Sequence, residues 1–252
     1  MNSVSPRVLL VRGMLSGLLA GLAAFLVAYV LGESKVDAAI ALEEAASAGH
    51  DHGDEAAAPV SRALQATAGL GTGTLLYGVA LGGIAALVFC YALGRIGRFG
   101  PRATAALVAG GLFVTVNLVP FFKYPSNPPA VGDPETVVHR TTLFVLMIAL
   151  SVLLASGALI LGRRLAPRMG NWNASVVAGL AFVVAVALAY VFLPGINEVP
   201  ADFPAALIWQ FRIASLTIQA ALWATFGLSF GYLAERALVP ATAPKEAVQP
   251  TS

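Results

Sequence analysis

Charge is what this sequence has least of. Only 11% of its 252 residues are Asp, Glu, Lys or Arg, whereas a soluble domain carries about 25%. So few charges could not cover a water-facing surface of this size. Cysteine is nearly absent as well. The single Cys90 rules out an intrachain disulfide and, inside an apolar run, reads as a small packing residue. There is no GxxxxGK[ST] stretch, which excludes a P-loop NTPase, and no HExxH, which leaves a zinc-dependent membrane protease without support. No acid, lysine or histidine falls near the middle of a long apolar run, which argues against a proton relay at membrane depth. The net charge is +2 and the basic residues are scattered over several loops, so no nucleic-acid footprint exists. No catalytic constellation emerges. We expect neither an enzyme nor a tightly bound cofactor.

What the chain does have is long apolar runs. About 20 apolar residues span the hydrocarbon layer as a helix, which satisfies its own backbone hydrogen bonds without water. Six runs qualify: Val8–Leu31, Gly69–Leu93, Ala103–Phe122, Thr141–Leu161, Ala174–Leu193 and Ile213–Leu233. The expected fold class is all-α, a polytopic bundle of six transmembrane helices in the lipid bilayer over residues 1–238. The tail 239–252 has no apolar periodicity and is expected to be disordered and cytoplasmic. The first run follows Arg7 and Arg12 but is longer than a secretory core and lacks a small-residue cleavage site, so it reads as a retained helix.

Positive residues in short loops stay on the cytoplasmic side. Arg7, Arg12, Arg95, Arg98, Arg102, Arg163, Arg164, Arg168, Arg236 and Lys245 fall on one face; Lys35, Arg62, Lys123, Arg140 and Arg212 fall on the other. Ten against five places both termini in the cytoplasm. The acids divide more sharply. Glu33, Asp37, Glu43, Glu44, Asp51, Asp54, Glu55, Asp133, Glu135, Glu198 and Asp202 lie outside, and only Glu235 and Glu246 lie inside. All three histidines, His50, His52 and His139, are outside. A negative field at one face raises the local cation concentration. Ordinary solvated loops are the competing reading.

A two-helix unit recurs. Each even-numbered span follows an outer arginine, Arg62, Arg140 or Arg212, spaced 78 and 72 residues apart. LGRIGRFGPRATAALVAG from Leu93 and LGRRLAPRMGNWNASVVAG from Leu161 close two of the units. Three parallel two-helix repeats would follow; chance resemblance of apolar helices with basic ends is the alternative. Gly13, Gly17 and Gly21 fall at four-residue spacing, as do Gly78 and Gly82, and Gly227 and Gly231. Such faces let backbones approach closely, either within the bundle or at a subunit interface. Asn117 and Gln219 are the main strongly polar side chains within the runs and read as interhelical hydrogen-bonding groups.

Two outer regions carry candidate chemistry. Residues 32–67 contain a helix-forming stretch, Val36–Ala46, which puts Asp37, Ile40, Ala41 and Glu44 on one face, followed by His50 and His52. Imidazole and carboxylate together suit divalent first-row metals. Glu33, Asp37, Glu43, Glu44, His50 and His52 are therefore candidate ligands for a divalent metal ion; a solvated, Ala-rich linker is the alternative. The second region is stiffened by Pro125, Pro128 and Pro129. Asp133, Arg140, Glu198, Asp202 and Arg212 could share one outer mouth there, or simply pair at helix ends. Trp172 and Trp209 near run ends read as interfacial anchors.

Four stretches have a specific likeness: RGMLSGLLAGLAAFLVAYVLGE, VDAAIALEEA, FKYPSNPPAVGDPETV and NEVPADFPAALIWQFRIAS. On these the chain resembles the CbtA family of bacterial cobalt transporter subunits, over nearly its whole length. The resemblance implies cobalt ion as the transported species, uptake linked to vitamin B12 synthesis, and location in the bacterial cytoplasmic (inner) membrane. It also implies a small single-span partner, CbtB, with a histidine-bearing end. It brings no ligand set, so the candidate ligands above rest on their chemistry alone. The alternative is a non-transporting membrane scaffold subunit that holds a partner helix on its glycine faces.

Overall fold

Four long helices pack so closely in the computed structural model that glycine and alanine make much of their contact. The structure describes residues 5–47, 61–129 and 131–238. The described residues form helices and connecting turns with no strand. Helix α1 (Pro6–Val27) opens with a proline in its first turn and with Ser5 accepting a hydrogen bond from the Arg7 amide, the arrangement that satisfies helix-start donors. A π-turn over Ala28–Gly32 carries it into α2 (Glu33–Ser47). Helix α3 (Arg62–Leu64) leads through a second π-turn, Gln65–Gly69, into α4 (Leu70–Ala92). Helix α5 (Pro101–Leu112) passes through a third, Phe113–Leu118, into α6 (Val119–Lys123). Helices α7 (Val137–Phe192) and α8 (Ala205–Leu238) complete the chain.

The glycine faces meet each other. Gly13, Gly17 and Gly21 of α1 lie against Gly82, Gly78 and Thr74 of α4, so the two helices run antiparallel with touching backbones. Gly227 and Gly231 of α8 face Ala109 and Ala105 of α5 in the same way. Around these contacts lies a core shared by α1, α4, α5 and α8, with Phe89, Phe226 and Phe230 fully buried. The rings of Phe89 and Phe230 meet edge to face at 5.0 Å, and Phe226 stacks on Phe230 at 5.2 Å, both favourable geometries. At one end of the bundle Arg12 donates to the Leu233 carbonyl and Arg102 pairs with Glu235.

Large apolar side chains cover the outside: Val30 is 70% exposed, Leu153 68% and Phe192 83%. In water that surface would aggregate; in lipid it is the solvated one. Among the described residues, five helices are long and apolar enough to cross a membrane. The fourth, Pro134–Phe192, has 59 residues, or roughly 90 Å at 1.5 Å per residue, about three times the hydrocarbon thickness. It is broken at Gly170, whose φ of 79° and ψ of 161° are not helical. A methyl group on Gly162 would come within 3.2 Å of the Ala178 side chain, although 16 residues of straight helix would separate them by about 24 Å. The chain therefore reverses at Gly170. The apolar runs Thr141–Leu161 and Ala174–Leu193 fall on either side of the break.

A second core, at the α6 end, contains Val119, Tyr124, Leu143, Met147 and Val186. It joins both halves of α7 to α6. Helix α8 instead packs on α1 and α5, so the three expected two-helix units do not make equivalent contacts. The helix expected over Val36–Ala46 lies within α2, continuous with α1. His50, His52 and the tail 239–252 lie outside the described residues.

Candidate functional site

Among the described residues, the carboxylates assigned to the outer face sit at the end of the bundle opposite Arg12 and Arg102, and the outer arginines hold that end together. Arg62, at the start of α3, pairs with Glu33, and its Nε lies 3.0 Å from Asp37 Oδ1. This ties the beginning of the second apolar run to the helix leaving the first. Glu43 and Glu44, further along α2, are exposed.

The second region is a latch of crossed loops. Helix α6 ends at Lys123, and Pro125, Pro128 and Pro129 in the segment that follows keep the helix from continuing. Tyr124 donates from its hydroxyl to the Pro194 carbonyl at 2.9 Å, and Lys123 donates to the Tyr190 carbonyl at 2.8 Å. Burial raises the Tyr124 phenol above its ordinary pKa. Pro128 is fully buried, and Gly132, at φ 121°, lets the backbone run against the Arg140 guanidinium where a side chain would collide.

Glu198 closes the latch. It accepts from the Thr136 hydroxyl at 2.6 Å and from the Asp133 amide at 3.1 Å, and it pairs with Arg140 Nε at 3.3 Å. Arg140 also donates to the Asp133 carbonyl at 3.2 Å. The Thr136 hydrogen bond chiefly holds the Glu198 carboxyl below its ordinary pKa; burial opposes this, and the Asp133 amide and the charges of Arg140 and His139 reinforce it. Arg212, in the first turns of α8, donates to Asn127 Oδ1 at 2.9 Å and to the Ser126 carbonyl at 3.3 Å. Of the outer-mouth candidates, Asp133, Arg140 and Glu198 thus come together, and Arg212 holds the adjoining loop. Asp202 stays exposed and joins none of these contacts. The Asp133 carboxylate is used locally, accepting from the Glu135 amide at 2.8 Å.

Under the latch lies an open cavity of about 640 Å³ between α6, α7 and α8. Asn117 and Gln219 both line it, with Ser126, Ser215 and Arg140 nearer the loops. Asn117 reaches it from the π-turn Phe113–Leu118, a helix irregularity common at functional sites. The turn leaves the Thr115 carbonyl to accept from Ser151 of α7, which pins the two helices together. Asn117 and Gln219 are 102 residues apart in the chain. Their polarity inside apolar runs was the only sequence signal for the cavity, and nothing local marked them as neighbours.

Among the described residues no three His, Cys, Asp or Glu side chains converge to hold a metal ion. Glu33 and Asp37 are both engaged by Arg62. What that end offers instead is a set of exposed carboxylates and an open, largely apolar cavity with a few polar groups.

The family model for CbtA, the probable cobalt transporter subunit, matches residues 7–235, nearly the whole chain. None of the curated proteins and none of the solved structures matches. A transporter subunit, not an enzyme, is what that family describes, and a helical chain with several helices able to cross a membrane fits a multi-pass subunit that works with others. The chain belongs to the CbtA family of cobalt transporter subunits.

Proposed function

We propose that this protein is the membrane subunit of a bacterial cobalt uptake system, and that its outer carboxylates gather the ion before it moves inward. The observation that carries the reading is the segregation of charge. Glu33, Asp37, Glu43, Glu44, Asp133 and Glu198 lie at one end of the bundle, and Arg12 and Arg102 at the other. A negative end concentrates divalent cations from solution. The candidate ligands Glu43, Glu44, His50 and His52 would act as a collecting surface rather than a closed cage.

In this reading six segments cross the bacterial inner membrane, with both termini cytoplasmic. The break at Gly170 supports the count, because the Arg163, Arg164 and Arg168 cluster before it then falls on the positive side. The threefold unit rests on the sequence spacing of the three outer arginines. Each precedes an even-numbered run and ties a neighbouring loop or helix end. The partner would be a small single-span subunit of the CbtB type, and the uptake would serve vitamin B12 synthesis.

The test is cobalt accumulation in cells expressing the chain with that partner. Combined neutralisation of Glu43, Glu44, His50 and His52 should cut uptake at low external cobalt and spare it at saturation. Accumulation unchanged at all concentrations would remove the collecting surface from the mechanism. One observation favours a scaffold without transport: the spans hold no carboxylate or histidine at their centres. Reconstituted flux through the chain alone would exclude that alternative.

A further inference from the structure

The cavity under the latch has the wrong charge for a bare divalent cation. No carboxylate, imidazole or thiolate is among its lining residues, whereas the Arg140 side chain is. Arg140 is balanced by Glu198 at 3.3 Å. Arg212 lies directly behind Ser126 and Asn127, which line the cavity, and is half-buried. The partners it has are neutral, and among the described residues it makes no ion pair within 4.0 Å. Among the described residues, one positive charge at the edge of the cavity therefore has no carboxylate opposite it, in surroundings of low dielectric where it acts strongly on an anion.

Three of the unpaired polar atoms around the cavity point the same way. Four buried side-chain atoms without a hydrogen-bond partner belong to lining residues: Asn117 Nδ2, Ser126 Oγ, Arg140 Nε and Gln219 Oε1. Arg140 Nε meets Glu198 at ion-pair distance but not in hydrogen-bonding geometry. Asn117 Nδ2 and Arg140 Nε are obligate donors and the Ser126 hydroxyl can donate, whereas Gln219 Oε1 only accepts and suits a hydroxyl of the same ligand. Buried donors without a partner call for an acceptor. The remaining wall is largely carbon, including Phe121, Phe144, Leu216 and Ile218. A volume of about 640 Å³ is that of a small-molecule site, which runs from roughly 300 to 1,000 Å³; a lone halide would leave most of it empty.

The geometry points to a binding site for a small organic carboxylate anion, taken up free or as the chelator of a metal ion. The carboxylate accepts from the Asn117 amide and faces the Arg212 charge, and its carbon frame lies against the phenyl rings. A chelator of this class offers oxygen donors to a divalent first-row metal, so a chelated cargo would present its anionic side to the arginine. This goes beyond the collection of free cations at the outer end.

Citrate is the probe, with the full chain purified into lipid nanodiscs and binding followed by equilibrium dialysis. The arms are citrate alone, cobalt ion alone, and both together. Citrate should bind, and Asn117→Leu and Arg212→Gln should each weaken it by about tenfold or more. Binding without metal identifies the free acid as the ligand, and binding only with cobalt identifies the chelate. Arg212→Gln also loosens the 126–127 loop, so Asn117→Leu, which leaves that loop untouched, decides if the first variant fails to fold. Citrate that does not bind the wild type in either arm overturns the proposal. So does citrate binding indifferent to Asn117→Leu, or cobalt that binds alone and is weakened by Asn117→Leu.

Discussion

Gly17 and Gly78 lie back to back across the α1–α4 interface, so close that a methyl group on either would land on the other's carbonyl oxygen. The neighbouring glycines leave no slack, since a methyl on Gly78 would also press on the Gly21 backbone at 2.8 Å. Relief requires the helices to part. Gly17→Ala and Gly78→Ala should each destabilise the fold by about 1–3 kcal/mol, the usual cost of overpacking. Gly110→Ala, where a side chain would meet nothing within 4 Å, should be neutral or stabilising by up to about 1 kcal/mol. Thermal unfolding in detergent, followed by size exclusion, measures both. Equal melting temperatures for the Gly17 and Gly110 variants would contradict the close contact.

The latch should respond to acid. Glu198 has a lowered pKa in the folded protein, so its contribution is fully present above the ordinary carboxylate pKa, near 4.5. It is lost as pH falls through the depressed folded value. Protease sensitivity of the 193–204 loop should therefore be flat around neutrality and rise only in acid. Thr136→Val removes the main cause of the depression and should move that rise to higher pH. A neutral-pH transition in the wild type would assign the loop's opening to another group.

Side-specific labelling checks the reversal at Gly170. In a Cys90→Ser background, a cysteine replacing Arg168 should react with an impermeant maleimide only after the cells are opened. A cysteine replacing Asp202 should react in intact cells. Labelling of both from outside would abolish the proposed orientation.

Arg62 neutralises two carboxylates that the outer field could otherwise use. Arg62→Gln should increase cobalt binding at the outer end by a few-fold. The cost in stability should be within about 1 kcal/mol, because both pairs are partly exposed. Dialysis against cobalt at low ionic strength is the measurement, and weaker binding in the variant would show that Arg62 orders a site instead of masking it.

The sequence by itself determined the solvent of this protein, its helical class and the distribution of its charge. Those follow from period, run length and composition, which are local properties. The runs from Val8 and Gly69 could be read as membrane-crossing because 20 apolar residues in a row leave a helix no better place. The glycine spacing announced close packing, but not that Gly17 would meet Gly78 and Gly227 would meet Ala109. Partner choice depends on how the helices are arranged in three dimensions. The latch and the cavity were equally hidden. Glu198 reaches Thr136 across 62 residues, and Asn117, in a π-turn, shares a wall with Gln219 across 102. Only the tertiary structure decided that Arg62, Arg140 and Arg212, alike in sequence, would have unlike partners. A guanidinium's behaviour is set by what lies within a few ångströms of it, and for two of the three that comes mainly from distant parts of the chain.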